Sequence, residues 1–268
     1  MQSKIEGIIL SKLPYQERHL LCQVLLRTGK RVGVLFYGGR GGGKKQKSSI
    51  IELGFMLSIE LNHSHKDTEI YHAKEWSLIW HHDLIRLNLK AFYTKCFFLE
   101  IVSKISMIEN LRDPLSHTDE MQGIFTCLSN ALVILEKSLV QDAFSKEAHQ
   151  FIFFAKLFSH SGIFPDRDRC ALCSVSLNQE SDPTLISERG GFACSQCYSH
   201  QGSNFHLAHF KSPGRELWES LGFVSRSRYI ELDRFTLENK SIPRLLFHYF
   251  CYQNHFEERD FKTASLVF

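Results

Sequence analysis

Apolar and polar residues alternate from Ile51 to Asn62: Ile51, Leu53, Phe55, Leu57, Ile59 and Leu61 interleave with Glu52, Gly54, Met56, Ser58, Glu60 and Asn62. A period of two sustained over this stretch predicts a long strand with one face buried. Shorter apolar runs precede it at Ile5 to Leu10, Leu20 to Leu26 and Val32 to Phe36, and a further strand is expected over 69–75. Thr28-Gly29-Lys30, between the second and third runs, has the chemistry of a hairpin turn. Five short strands this close together suit a small Greek-key barrel of the OB type.

From Trp76 onward the spacing becomes helical. Leu84, Leu87, Ala91, Phe98, Val102 and Ile105 share one face, and Met121, Ile124, Phe125, Leu128, Leu132 and Leu135 form a second stripe. Phe144, Ala148, Phe151, Ala155 and Phe158 step by four and three, the spacing of a buried helix face. These stripes are what a bundle core needs, which favours packing over a platform for bases. Arg112-Asp113-Pro114 and 116–119 mark a loop. Ser212-Pro213 reads as a helix start, and a last helix begins near Pro243. The expected class is α+β and multidomain: an OB-type barrel over 1–76, a helical domain over 77–163 and 206–268, and an inserted four-cysteine module over 164–205.

Composition adds a bias in charge. The chain carries +3 overall, yet residues 1–47 hold ten Lys and Arg against Glu6 and Glu17, a net +8, while the other 221 residues sum to −5. A polyanion is drawn to the N-terminal end. Between the third and fourth strands lies Tyr37-Gly-Gly-Arg40-Gly-Gly-Gly-Lys44-Lys45-Gln-Lys47. So many glycines preclude regular structure. The Gly-Lys-Ser/Thr ending of a phosphate loop is missing and a strand follows, so the segment reads as a basic arm able to wrap a phosphodiester backbone. Lys30, Arg31, Arg40, Lys44, Lys45 and Lys47, with Arg18, are the candidate DNA-binding cations. Tyr15 or Tyr37 offers a stacking face, although aromatic residues at strand ends more often close a core.

Four of the eight cysteines form two knuckles, Cys170-Ala-Leu-Cys173 and Cys194-Ser-Gln-Cys197. Two Cys-x2-Cys pairs joined by a hairpin-length loop match a closed tetrahedral shell around a structural zinc ion. Two disulfides or a redox dithiol are the rival readings. The chain shows no apolar run of ~18 residues and no signal-peptide core, so a cytoplasmic location with reduced thiols is expected. Cys22, Cys96, Cys127 and Cys251 stand among apolar neighbours and read as buried small hydrophobes.

The common catalytic motifs are missing, including Gly-x-Ser-x-Gly, His-Glu-x-x-His and the nucleotide-binding glycine pattern. His63, His65, His81 and His82 lack partners at ligand spacing and read as solvated. The reading is therefore a binding protein and not an enzyme.

Gly7-Ile-Ile-Leu-Ser-Lys-Leu-Pro14-Tyr15-Gln-Glu17-Arg-His-Leu20-Leu21 resembles the start of the bacterial RecO family of recombination mediators. So do Thr28-Gly29-Lys-Arg-Val-Gly-Val and the basic glycine loop. Phe164-Pro165-Asp166 leading into the first knuckle, Gly190-Gly191-Phe192-Ala193 leading into the second, and Ser212-Pro213 are similar to that family's zinc-bearing members. The resemblance covers nearly the whole chain in one order. It implies a non-enzymatic protein of the bacterial cytoplasm and nucleoid that binds single- and double-stranded DNA and anneals single strands. It further implies a role in helping to load recombinase and a partnership with RecR. Recognition of the acidic C-terminal tail of single-strand-binding protein is also implied, for which Arg112, Lys137 and Lys156 are candidate rim charges. Relatives tend to be basic near the C-terminus, whereas this chain has Glu257-Glu258-Arg259-Asp260. NAD-dependent DNA ligases also combine an OB domain with four-cysteine zinc, but their Lys-x-Asp-Gly nucleophile motif is missing. A zinc-braced adaptor that binds only proteins is the remaining alternative.

Overall fold

A computed structural model describes residues 4–39, 49–62, 70–111, 121–178, 182–201 and 214–268. They form two compact units that divide between Val140 and Gln141. The loop candidates Arg40, Lys44, Lys45 and Lys47, together with His63, His65, Arg112 and Ser212-Pro213, lie outside the described residues.

The first unit opens with a closed five-stranded barrel in the order β1-β2-β3-β5-β4, formed by β1 Lys4–Tyr15, β2 His19–Leu26, β3 Arg31–Phe36, β4 Met56–Leu61 and β5 Ile70–Trp80. Neighbours are antiparallel except β3 and β5, which run parallel, and β1 closes the wall against β4. This is the OB-type arrangement. The interior is filled by Ile5, Ile9, Leu20, Cys22, Val24, Val32, Val34, Phe36, Leu57, Ile59 and Tyr71.

Three strands differ from the expectation. β1 runs past Leu10 to Tyr15, because β2 goes on pairing with it as far as His19. The alternating segment is a strand only over Met56–Leu61. Gly54 sits at φ +80°, and its N–H donates to the Ile9 carbonyl at 2.9 Å. A Cβ there would lie 3.2 Å from His82 Nε2 and 3.3 Å from Lys95 Cδ, so the chain turns at the residue with no side chain to resist it. β5 continues past Glu75 to Trp80 because β4 goes on offering partners, Leu57 to Leu78 and Met56 to Trp80.

Two helices, α1 Leu89–Ile105 and α2 Gln122–Val140, complete the unit. Leu84 and Leu87 do not join α1. Asn88 caps the helix through Oδ1, which accepts from the Ala91 N–H at 3.1 Å, and Leu87 is left exposed. The turn before it is held by Glu136 of α2, whose carboxylate accepts from the backbone N–H groups of Asp83, Leu84 and Ile85 at 2.8, 2.9 and 3.0 Å. His82 is buried, contrary to the solvated reading. Its Nε2 lies 3.1 Å from the Leu53 carbonyl, and burial holds its pKa below the usual histidine range. Cys96 is half-buried, unlike Cys22, Cys127 and Cys251. Among the described helices α2 is long and apolar enough to cross a membrane, but Ile124, Phe125, Leu128, Leu132 and Leu135 are buried in the protein.

The second unit is built around α3 Lys146–Ser161, with the hairpin β6 Thr184–Ile186 and β7 Gly191–Ala193, the short α4 Ser195–Gln201, α5 Gly214–Arg226, α6 Ile242–Gln253 and α7 Ala264–Val267. Every α3 residue from Ala148 to Phe158 is buried, so the helix is a core element on all sides. Phe154 meets Phe158, Phe247 and Phe250 with ring centroids 5.7 to 6.3 Å apart, within the range of favourable aromatic contact. α6 begins with Pro243 in its first turn, as its sequence predicts.

Replacing Glu136 with Ala would strip three amides of one charged acceptor. A loss of about 2–3 kcal/mol is expected, seen as a lower urea midpoint with an unchanged slope of unfolding free energy against urea. An unaltered midpoint would show that water replaces the carboxylate without cost.

Candidate nucleic-acid face and metal centre

A bulge in β1 decides what the barrel shows to solvent. Ile9 pairs with Val24 and Ser11 with Gln23, so Leu10 is an extra residue without a partner on β2. Side chains alternate across a strand, and one extra residue exchanges the two faces beyond it. Beyond the bulge Lys12 and Pro14 pair with the core residues Cys22 and Leu20, while Leu13 pairs with Leu21 and Tyr15 with His19. The outward row continues from Leu21 to Leu35 of β3 and on to His72 of β5.

The result is a half-apolar, aromatic outer face on β1, β2, β3 and β5. Leu13, Tyr15 and Tyr37 are 60%, 44% and 47% exposed, a level inconsistent with the core-closing role more usual for aromatics at strand ends. Tyr37 stands between two imidazoles, edge-on to His19 at 4.8 Å and to His72 at 5.3 Å. Its hydroxyl lies 3.3 Å from His72 Nδ1. The Gly38 N–H donates to His19 Nδ1 at 3.0 Å, which places the neutral ring's proton on Nε2. The first glycine of the loop is thereby tied to this face. Exposed rings on an OB wall can each stack a base, worth about 1–3 kcal/mol apiece. The sequence does not single out Leu13, His19 or His72: Leu13 turns outward only through the bulge, which no local motif announces, and His19 and His72 meet Tyr37 only once β2, β3 and β5 lie side by side.

The candidate cations separate. Arg18 is exposed in the β1–β2 turn, at the end of β2 nearest Tyr15, His19 and Tyr37. Lys30 and Arg31 lie at the other end of that eight-residue strand, roughly 23 Å away. Arg31 is engaged there: its Nη1 donates to Ser103 Oγ at 3.3 Å, and its backbone bonds with Met107 and Glu109. Lys137 is exposed on α2. Lys156 is 7% exposed, and its ammonium donates to the Ser227 carbonyl at 2.6 Å and the Ser225 carbonyl at 3.4 Å. It thus neutralises the C-terminal end of α5, where the helix dipole favours a cation.

In the second unit the four knuckle cysteines converge, with all Sγ atoms within 4.8 Å of one another. Cys173 and Cys194 Sγ are 3.9 Å apart, against about 3.8 Å for the edge of a thiolate tetrahedron with 2.3 Å metal–sulfur bonds. A disulfide would require about 2.05 Å. Local backbone builds the cluster. The first knuckle turns through Ser174 at φ +62°, whose N–H donates to the Cys170 carbonyl at 2.8 Å. Cys170 Sγ accepts from the amides of Cys194 at 3.3 Å and Leu172 at 3.4 Å. The second knuckle is delivered by the β6–β7 hairpin, Phe192 accepting from the Ala171 N–H at 2.7 Å. Burial works against ionising Cys170, yet amides of Cys194, Cys173 and Leu172 outweigh it and hold the thiol down at about 6. Sharing hydrogen bonds with Cys173 and Cys194 pushes Cys197 up to about 12. Four sulfurs so close cannot all ionise without a cation among them. These residues fit a metal ion.

The chain is similar to the DNA repair protein RecO of Moorella thermoacetica (strain ATCC 39073 / JCM 9320), with 25% identity over 222 residues that cover 83% of this chain and 75% of the relative. No family model matches the chain.

Protein prepared without chelators should hold one metal ion per chain and expose four additional reactive thiols when the metal is stripped. Cys173→Ser should bind substoichiometric metal and lower the melting temperature, since metal-binding energy in such a shell is folding energy. Full metal occupancy in that variant would place the ion elsewhere.

Proposed function

We propose that this chain is a non-enzymatic, single-stranded-DNA-binding mediator of recombinational DNA repair, and that the outer face of its barrel is the strand-binding surface. The observation that carries the reading is the cluster of exposed Tyr15 and Tyr37 with half-buried His19 and His72 on a closed OB wall, placed where the basic glycine-rich loop begins. Bases stack on these rings and on Leu13. Arg18 and the loop cations Arg40, Lys44, Lys45 and Lys47 neutralise the phosphates, giving sequence-tolerant, salt-sensitive binding. Lys30 adds a contact at the far end of β2, and Arg31 serves chiefly to hold that end against the segment after α1. The similarity to a DNA repair protein supports this reading.

Within this proposal the metal is zinc and its role is structural, because four cysteines close a tetrahedral shell and leave no open position. The protein works in the bacterial cytoplasm and nucleoid. It binds single- and double-stranded DNA, anneals complementary strands, cooperates with RecR and assists recombinase loading. The acidic tail of single-strand-binding protein docks on the helices, with Arg112 and Lys137 on its rim, while Lys156 braces α5.

Titrating single-stranded oligonucleotides at several salt concentrations tests the strand-binding surface. Replacing Lys44, Lys45 and Lys47 with Ala should reduce the slope of log affinity against log salt by roughly 0.7 per lost contact, equally for all sequences. Tyr37→Ala should weaken binding by about 1–3 kcal/mol with the slope unchanged. Wild-type affinity in both variants would remove the barrel face from the site and favour a protein-only adaptor.

A further inference from the structure

Positions 215, 218, 222 and 226 of α5 are spaced three or four residues apart and form one stripe along the helix. They are Arg215, Trp218, Gly222 and Arg226. The gap at Gly222 is filled from outside the helix by Arg167, which belongs to the segment leading into the first cysteine knuckle. A Cβ on Gly222 would stand 2.1 Å from Arg167 Nη1 and 2.3 Å from its Cζ, so the guanidinium lies where any side chain would displace it.

The same guanidinium is 4.1 Å from the centroid of the Trp218 ring, and that of Arg215 is 4.8 Å away. Both are cation–π distances. The Trp218 indole N–H donates to the Arg167 carbonyl at 2.9 Å, which fixes main chain and side chain together. Arg167 Nε is buried with no partner among the described residues. Burial first, and then the charges of Arg226 and Arg215, lower its pKa. Two carboxylates temper this crowding: Glu219 accepts from Arg215 Nε at 2.7 Å, and Asp168 follows Arg167 in sequence. Three guanidiniums therefore occupy about 16 Å of one helix face, with a third carboxylate, Asp182, against Gly214 at the start of the helix and the Arg226 end left exposed.

We propose that Arg167 and Arg215, packed on Trp218, together with Arg226 two turns further along α5, form a second backbone-binding site that takes successive phosphates of a single nucleic-acid strand. The proposal rests on the reading of the chain as a DNA-binding protein and extends it to the second unit. Guanidinium forks match phosphate geometry in two-point hydrogen bonds, and the indole beneath Arg167 and Arg215 holds their planes in place. With one strand on the barrel face and another on this stripe, a single chain can hold two strands, the physical requirement for annealing them.

The test titrates oligo(dT) over a salt series against the full chain, against Arg226→Ala, against Arg167→Ala with Arg226→Ala, and separately against Tyr15→Ala with Tyr37→Ala. Trp218 bonds to the main chain of Arg167, so that anchor survives the substitution, and the exposed Arg226 provides a variant that leaves the Trp218 contacts intact. Arg226→Ala should lower the salt slope by roughly 0.7 and the double arginine variant by roughly 1.4, with affinity near 50 mM salt falling roughly tenfold per contact. The tyrosine pair should lose affinity at an unchanged slope. Wild-type slopes in both arginine variants overturn the stripe whatever the tyrosines do, and an unaffected tyrosine variant overturns the barrel reading alone. Polyphosphate should displace the oligonucleotide from the stripe at least tenfold better than poly-glutamate of matched charge. Equal displacement would assign the stripe to an acidic protein segment and overturn the proposal.

Discussion

One residue without a cross-strand partner, Leu10, sets the character of the barrel. β1 is long enough to close the wall against β4 at its start and to run beside β2 to its end. A strand of regular alternation would keep one set of side chains inside throughout. The bulge at Leu10 exchanges the sets midway, so Ile5 and Ile9 fill the core from the first half while Leu13 and Tyr15 face outward from the second. The outward placing of Leu13 and Tyr15 is therefore a consequence of this register shift, while His19 and His72 face outward by the plain alternation of β2 and β5 beside the core residues Leu20, Tyr71 and Ala73. Without the bulge, unbroken alternation from Ile9 would carry Ser11, Leu13 and Tyr15 inward beside Cys22 and Leu20, where the core is already filled.

The second unit depends on a different constraint. Its α3 is buried on every side, and the cysteine module is joined to the surrounding helices by polar bonds that each reach across many residues. Trp218 of α5 donates to the Arg167 carbonyl, Tyr249 of α6 to the Ile163 carbonyl at 2.8 Å, and Gln253 of α6 to the Ser187 carbonyl at 2.6 Å. The module's own hairpin, with three-residue strands, is too short to be stable alone. The clustered cysteines, which could hold a metal ion, and these three anchors tie the hairpin to the rest of the unit. The stripe of α5 that Arg167 completes thus depends on the cysteine module, since Arg167 lies only three residues before Cys170.

Much of this was legible in the sequence. The convergence of the four cysteines was fully so, because Cys-x2-Cys spacing states its own geometry, and so were α6 with its Pro243 start and the strands β2 and β3, whereas β1 was legible only as far as Leu10. What escaped the sequence did so for physical reasons. Ile51 to Asn62 alternates as a strand should, but Gly54 adopts a left-handed turn that brings the chain back against Ile9. His82 looks polar and solvated until the Leu53 carbonyl and the neighbouring rings enclose it. Lys156 looks like a surface charge on an apolar helix, yet a helix far along the chain ends against it. Each of these is settled by contacts between residues distant in sequence, which local patterns do not encode.

Photo-cross-linking maps the central claim most directly. Single-stranded DNA carrying 5-bromouracil, irradiated in complex with the full chain and digested for peptide identification, should attach to peptides containing Tyr15, His19 and Tyr37, since halogenated bases couple efficiently to rings stacked on them. Attachment at those positions, suppressed by excess unlabelled strand, is the predicted result. Specific cross-links that avoid the barrel face altogether would contradict the account.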